Sequence, residues 1–181
     1  MTFSNPAGAA AAAAPTYVRA LLDVLGRRDP MEVMAELLPW LAERIRGLDD
    51  PALRRPEAPG QWSVIEVIQH LADSDVVFSY RLKLMLTEDR PPLRVYDQDR
   101  WAGELRYREV PLELALDQLR SMRAATLHVL RRLSPLQLER VGLHSERGPE
   151  SAGFLLQLMG GHDLVHRRQI DRILSTVAPR R

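Results

Sequence analysis

The sequence predicts an all-α fold, a four-helix bundle with up-down-down-up topology. Three observations carry this. Apolar residues recur at spacings of three and four over four long segments, near 30–48, 63–86, 111–132 and 152–176. No stretch alternates convincingly as a half-buried strand would. The interruption "TEDRPPLRVYDQDRWAGELRYREV" separates the second and third segments by more than 20 residues. A link of that length lets those two helices run parallel instead of folding back on one another.

Each element has its own signal. The start, "MTFSNPAGAAAAAAP", is alanine-rich but lacks the basic region and leucine-rich core of a secretion signal. Residues 1–14 read as a flexible tail, residues 15–181 as one domain, and the protein as cytoplasmic. Pro15 opens a short helix over 16–26, with Tyr17, Leu21, Leu22 and Leu25 on one side. Asp29 suits an N-cap and Pro30 the first helical position. Val33, Leu37, Leu41 and Ile45 then form a stripe, with Pro39 inside it as a candidate kink. "DDPALRRPEAPGQW" reads as a connection. Ser63 and Glu66 make a capping box before Val64, Ile68, Leu71, Phe78, Leu82 and Met85. Pro111 opens the third long helix, with Leu112, Leu116, Leu119, Met122, Leu127 and Leu130. Ser134-Pro135 starts a short helix, "GLHSERGPE" reads as a loop, and Ser151 caps the last helix.

Composition narrows the chemistry. A net charge of +1 gives no field that would steer the chain to nucleic acid. No run approaches 18 apolar residues, so no membrane-spanning helix is expected. The chain has no cysteine, which excludes disulfides, thiolate metal sites and a cysteine nucleophile. Any metal must be held by nitrogen and oxygen.

"GGHDLVHRRQ" carries the chemical signal. His162 and His166 stand four apart, which places their Cβ atoms about 5–6 Å apart on one helix face. Leu155, Met159, Ile170 and Ile173 share that face, so the imidazoles point inward. Two buried, hydrogen-bonded core histidines would give the same pattern. His70 flanks the stripe of the second long helix and can also look inward. Three neutral imidazoles with one open position form a known catalytic metal arrangement. The pattern is not that of a zinc protease, since Asp163 stands where the glutamate base would be. Gly160 and Gly161 cost a helix about 1 kcal/mol each relative to alanine. Their use would be to let a neighbouring helix or a ligand approach closely. Of the remaining histidines, His128 is expected at a helix surface. His144 is expected in a loop, free to act as acid or base or simply solvated.

"GQWSVIEVIQHLADSDVVFSYRLKLMLTEDRPPLRVYDQDRW" resembles the YfiT-like branch of the DinB-like superfamily. The matching stretches are Trp62 to Ser74, Arg81 to Asp89 and Tyr96 to Trp101, followed by His162 and His166 on the last helix and a counterpart for His144 before it. The resemblance covers about residues 35 to 176 and leaves the first 30 outside. It implies one divalent ion per chain, zinc or nickel, held by His70, His162 and His166. It also implies a homodimer, for which Trp40 and Val76 are candidate contacts.

Members of the superfamily have been labelled metal-dependent hydrolases, and others use low-molecular-weight thiols such as bacillithiol or mycothiol. The expected activity is therefore transfer of such a thiol to an electrophile. The alternatives are a hydrolase and a non-enzymatic protein whose metal staples the bundle. Asp73, one turn from His70, and His144 are the candidate catalytic residues. Glu66 and Asp163 are further candidates to support a ligand histidine. Tyr96, Asp97 and Trp101 are candidates for the pocket mouth. Leu71, Val77 and Met159 are expected on its wall, and Arg81, Arg167 and Arg168 at its rim as grips for carboxylates.

Overall fold

The computed structural model describes residues 10–177. Helix α1, Ala10–Leu25, begins before Pro15, so Ala10–Ala14 are helical where a tail was expected. The rest of that expected tail, residues 1–9, lies outside the described residues. Asp29 opens α2, Pro30–Arg44, by accepting the Met31 amide at 2.7 Å. The connection after it contains a helical turn, α3, Asp50–Arg54, because Asp49 accepts the Ala52 amide at 2.9 Å. Ser63 donates to Glu66 from its backbone N–H at 2.8 Å and its hydroxyl at 2.6 Å, and α4, Val64–Thr87, follows. These bonds satisfy donors that a helix start would otherwise leave bare.

The long interruption has structure of its own. It holds strand β1, Pro92–Leu93, helix α5, Gln98–Glu104, and a 3₁₀ turn at Tyr107–Glu109. Then come α6, Leu112–Leu130, and α7, Pro135–Leu138. The segment read as a loop is a hairpin: β2, Val141–His144, and β3, Gly148–Ser151. Strand β1 pairs in parallel with β2, Leu93 opposite His144, and β2 pairs antiparallel with β3. The expectation of no strands is corrected to this extent, although the body of the fold remains helical. Helix α8, Ala152–Val177, completes the chain, and the Ser151 hydroxyl accepts the Phe154 amide at 3.1 Å at its start.

Burial orders the bundle. One apolar cluster contains Leu37 and Leu41 of α2, Val64, Ile65, Val67, Ile68, Leu71 and Ala72 of α4, Ala115 and Leu119 of α6, and Ile170 and Ile173 of α8. A second contains Met34 of α2, Leu82 and Met85 of α4, Leu127 and Leu130 of α6, and Leu155 and Met159 of α8. Going along the chain, α4 and α6 pass from the first cluster to the second, while α2 and α8 pass from the second to the first. That is the up-down-down-up arrangement. Helix α1 lies outside the four, along α8, and buries Leu21 and Leu25 against Leu158, Val165 and Leu164. Each such leucine contributes about 1.5–3 kcal/mol when fully buried. Among the described residues, no helix is long and apolar enough to cross a membrane.

A candidate metal centre between two apolar clusters

A polar layer separates the two clusters. Helix α4 brings His70, Ser74 and Asp75 to it, α6 brings Arg123, and α8 brings His162, Asp163 and His166, all of them buried. On α8 these positions sit between Met159 and Ile170, so the helical period that packs the leucines also turns both imidazoles inward.

The three histidines converge. One ligand atom from each of His70, His162 and His166 lies within 4.8 Å of the others, and no acidic or further histidine group joins them among the described residues. The Nε2 atoms of His70 and His162 face each other at 3.1 Å. Two nitrogens bound tetrahedrally at about 2.0–2.1 Å from one zinc stand about 3.3 Å apart, so the donor set fits a single ion. Burial pushes all three rings well below the usual histidine range, His166 to about 4, and each histidine also feels neighbouring charge or polarity. They are therefore neutral near pH 7, as ligands must be. His166 Nδ1–H donates to Gln169 Oε1 at 2.7 Å, which leaves the Nε2 lone pair free. His70 Nδ1 has no partner among the described residues. The Trp62 ring packs on His70 at 4.9 Å and Phe78 on His162 at 5.7 Å.

Gly160 and Gly161 admit α1 and the start of α2. A Cβ on Gly160 would stand 2.8 Å from Pro30 Cβ, and one on Gly161 would stand 2.5 Å from the Leu21 carbonyl oxygen. The close approach is by protein, not ligand. It brings Tyr17, Val18 and Leu21 to a cavity of about 90 Å³ that His162, Phe78, Arg81, Tyr96, His144 and Arg147 also line.

Several expected residues lie elsewhere. Asp73 points away from the histidines: its carboxylate accepts from Tyr107, Gln118 and Gln69. The hydroxyl of Ser74, one residue on, lies 3.4 Å from His70 Nε2 and 2.9 Å from the Tyr96 hydroxyl. Glu66 is engaged by Ser63 and Arg108. Asp163 supports no histidine; it is buried against Arg123, which also holds Asp75 through two bonds at 2.7 and 3.0 Å and the Met34 carbonyl at 2.9 Å. Burial raises Asp163 to about 6 despite that guanidinium. This buried cluster ties α4, α6, α8 and α2 together beside the site, and single-residue reading of the sequence did not single out Arg123 or Asp75.

His144 is not a solvated loop residue. It ends β2, is buried, and accepts at Nδ1 from the amides of Glu146 and Arg147 at 3.2 and 3.3 Å. Burial and the neighbouring Arg147 and Arg81 lower it to about 3, so the ring is neutral with its proton on Nε2. His128 is exposed. Tyr96 lines the cavity and Trp101 packs on it at 4.6 Å, whereas Asp97 caps α5 by accepting the Arg100 amide at 3.0 Å. Arg81 lines the cavity. Arg167 instead lies over Trp40 at 4.9 Å and pairs with Glu36, and Arg168 faces outward. Leu71 and Met159 belong to the apolar clusters, and Val77 does not line this cavity. Of the two candidate dimer contacts, Val76 is exposed and Trp40 is partly buried beneath Arg44 and Arg167.

The sequence pattern of the DinB superfamily matches residues 39–170, which span all four long helices in part or whole. The chain belongs to the DinB superfamily. Among DinB-superfamily relatives, an Oceanobacillus iheyensis protein named "Putative metal-dependent hydrolase OB0782" is 35% identical over 129 residues, covering 70% of this chain and 74% of that one. A Bacillus mycoides protein of the same description is 32% identical over 130 residues, covering 72% and 75%. The solved structure of YfiT from Bacillus subtilis, described as "a probable metal-dependent hydrolase with an unusual four-helix bundle topology", superposes with a TM-score of 0.75 at 26% identity, covering 81% of this chain and 84% of that chain. Helix α1 lies outside the matched DinB-superfamily span, yet it supplies part of the cavity wall.

Proposed function

We propose that the chain is a metal-dependent enzyme in which His70, His162 and His166 hold one divalent ion, zinc or nickel, and that it transfers a low-molecular-weight thiol to an electrophile. When bound, such an ion acts as a Lewis acid and favours the deprotonated form of a nucleophile that coordinates it. The observation that carries the choice of a thiol is that no carboxylate joins the histidine cluster among the described residues. Asp73, Asp163 and Glu66 are all tied to other partners and none joins the histidine cluster. Hydrolysis normally needs a positioned base to take a proton from water. A thiol, with a pKa near 8.5, needs less help. Phe78, Leu158 and Leu21 give the cavity an apolar side suited to an electrophile, while Tyr96 and Ser74 form a hydroxyl pair beside His70.

Hydrolysis is the second reading, favoured by the printed names of the relatives. One experiment separates the two. Purified protein is expected to carry about one divalent ion per chain, and the double variant His70→Ala/His166→Ala none. The metal-loaded protein is expected to consume a small thiol in the presence of an electrophile, and His162→Ala is not. Cleavage of esters or amides without thiol, with a rate rising through about pH 7, would favour the hydrolase. Metal-free wild-type protein would overturn both.

A further inference from the structure

Two buried donors beside the histidines lack partners. Arg81 is 6% exposed, yet it makes one hydrogen bond, from Nη2 to the Arg94 carbonyl, and no ion pair among the described residues. Its Nε–H is buried without an acceptor. His144 is 3% exposed, and its Nε2, which carries the proton because Nδ1 accepts two amides, is also buried without an acceptor. Both residues line the cavity that His162 lines.

A buried guanidinium without a counter-charge costs several kcal/mol, and a buried N–H without an acceptor costs more again. The carboxylates nearby, Glu150 and Glu146, offset only part of the burial of Arg81. Arg147 holds Glu150 in a forked pair, with both bonds at 2.9 Å. Glu146 lines the cavity and forms no ion pair among the described residues. One cation held in no direct ion pair and one neutral N–H donor therefore face a space of about 90 Å³, room for roughly six water-sized groups. A single negative charge with two acceptor oxygens matches this set better than a doubly charged phosphate does, since only one guanidinium is unpaired.

We propose that Arg81 and His144 form a carboxylate subsite beside the three histidines, so that the small molecule handled at this centre carries a carboxylate group. The proposal rests on reading the histidines as a small-molecule centre, but the subsite is built by residues that hold no metal. Helix α1 and the hairpin close it: Tyr17 and Leu21 cover one side, and β2 carries His144 against β1.

The test is a titration of metal-loaded protein with propionate, followed through the nitrogen resonance of His144 Nε2. Propionate is expected to shift that resonance saturably, and propionamide, of the same shape without the charge, is expected to leave it unmoved. Arg81→Gln should weaken propionate binding about tenfold or more, the cost of one charge-assisted hydrogen bond, with metal content unchanged. His162→Ala, which is expected to lose the ion, should still bind propionate. If propionamide matches propionate, or inorganic phosphate binds and propionate does not, the proposal fails. It also fails if Arg81→Gln binds normally while His162→Ala does not, which would place the carboxylate on the metal and leave the metal reading standing. Propionate binding in protein that takes up no metal would support the subsite and remove the metal reading. Should Arg81→Gln not fold, the comparison of propionate with propionamide on the wild type decides.

Discussion

Replacing Gly161 by alanine tests the close packing of α1 on α8 beside His162. Helix propensity alone favours the change by about 1 kcal/mol, because alanine restricts the unfolded chain more than glycine does. The contacts oppose it. The new Cβ would stand 2.5 Å from the Leu21 oxygen, 2.8 Å from its carbonyl carbon and 3.0 Å from its Cβ. Two of those atoms are backbone, so no rotamer change relieves the clash and α1 itself must move. Overpacking of this kind costs about 1–3 kcal/mol, and a backbone obstacle puts it at the upper end. The expected net loss is about 2 kcal/mol, which lowers Tm by about 4–8 °C in a chain of this size. Gly103, in α5, is the control, since a Cβ there meets nothing within 4 Å and Gly103→Ala should gain up to about 1 kcal/mol. Urea unfolding of the wild type and both variants, with faster proteolysis within α1 as a second readout, gives the answer. If Gly161→Ala is as stabilising as Gly103→Ala, the packing argument is wrong.

Two further perturbations follow from buried charge. Arg123→Met should destabilise the fold by about 3–5 kcal/mol, because Asp75 and Asp163 are left buried without their guanidinium; chemical denaturation showing a loss under about 1 kcal/mol would contradict this. Metal-stripped protein should lose stability as pH falls from about 6.5 towards 4. His70, His144, His162 and His166 are depressed by burial, so they stay neutral when folded but bind protons when unfolded, and each contributes up to about 1.4 kcal/mol per pH unit in that window. Asp75 and Asp163, raised by burial, act in the opposite sense and offset part of the loss. Unfolding free energies measured at pH 7, 6 and 5 should fall in that order, and a flat series would show that the histidines are not buried neutral.

How much of this was legible in the sequence depended on period. The four long helices announce themselves through leucines at three and four, and Asp29, Ser63 and Ser151 mark their starts. His162 and His166 were legible because they fall on such a stripe, and His70 because it flanks one. The sheet was not. Its strands run two to four residues, and β2 inverts the usual pattern, with Gly142 and His144 inward and Leu143 at 37% exposure. Asp73 misled because a turn's distance from His70 says nothing of direction; Tyr107 and Gln118, from the crossover and α6, draw it away. A signal for Arg123 was present but unused: it stands four residues from both Leu119 and Leu127, a charge on a buried stripe. A charge in that place demands opposite partners on facing helices, and Asp75 and Asp163 are those partners.

That buried cluster explains how α8 can bear its histidines accurately despite two glycines at its centre. Gly160 and Gly161 remove local stiffness just where His162 must be placed. Asp163, the next residue, is held by Arg123, which in turn holds Asp75, five residues beyond His70 on α4. The register of α8 against α4 is thus set by forked ion pairs immediately beside the His70–His162 contact. On the other flank, Pro30 and Leu21 fill the space the glycines leave. Breaking the ion pairs should therefore loosen the spacing of the imidazoles before it disturbs either apolar cluster, while altering the glycines should displace α1 and open the cavity wall first. The two kinds of variant are expected to differ in what they lose, ligand geometry in one and enclosure of the cavity in the other.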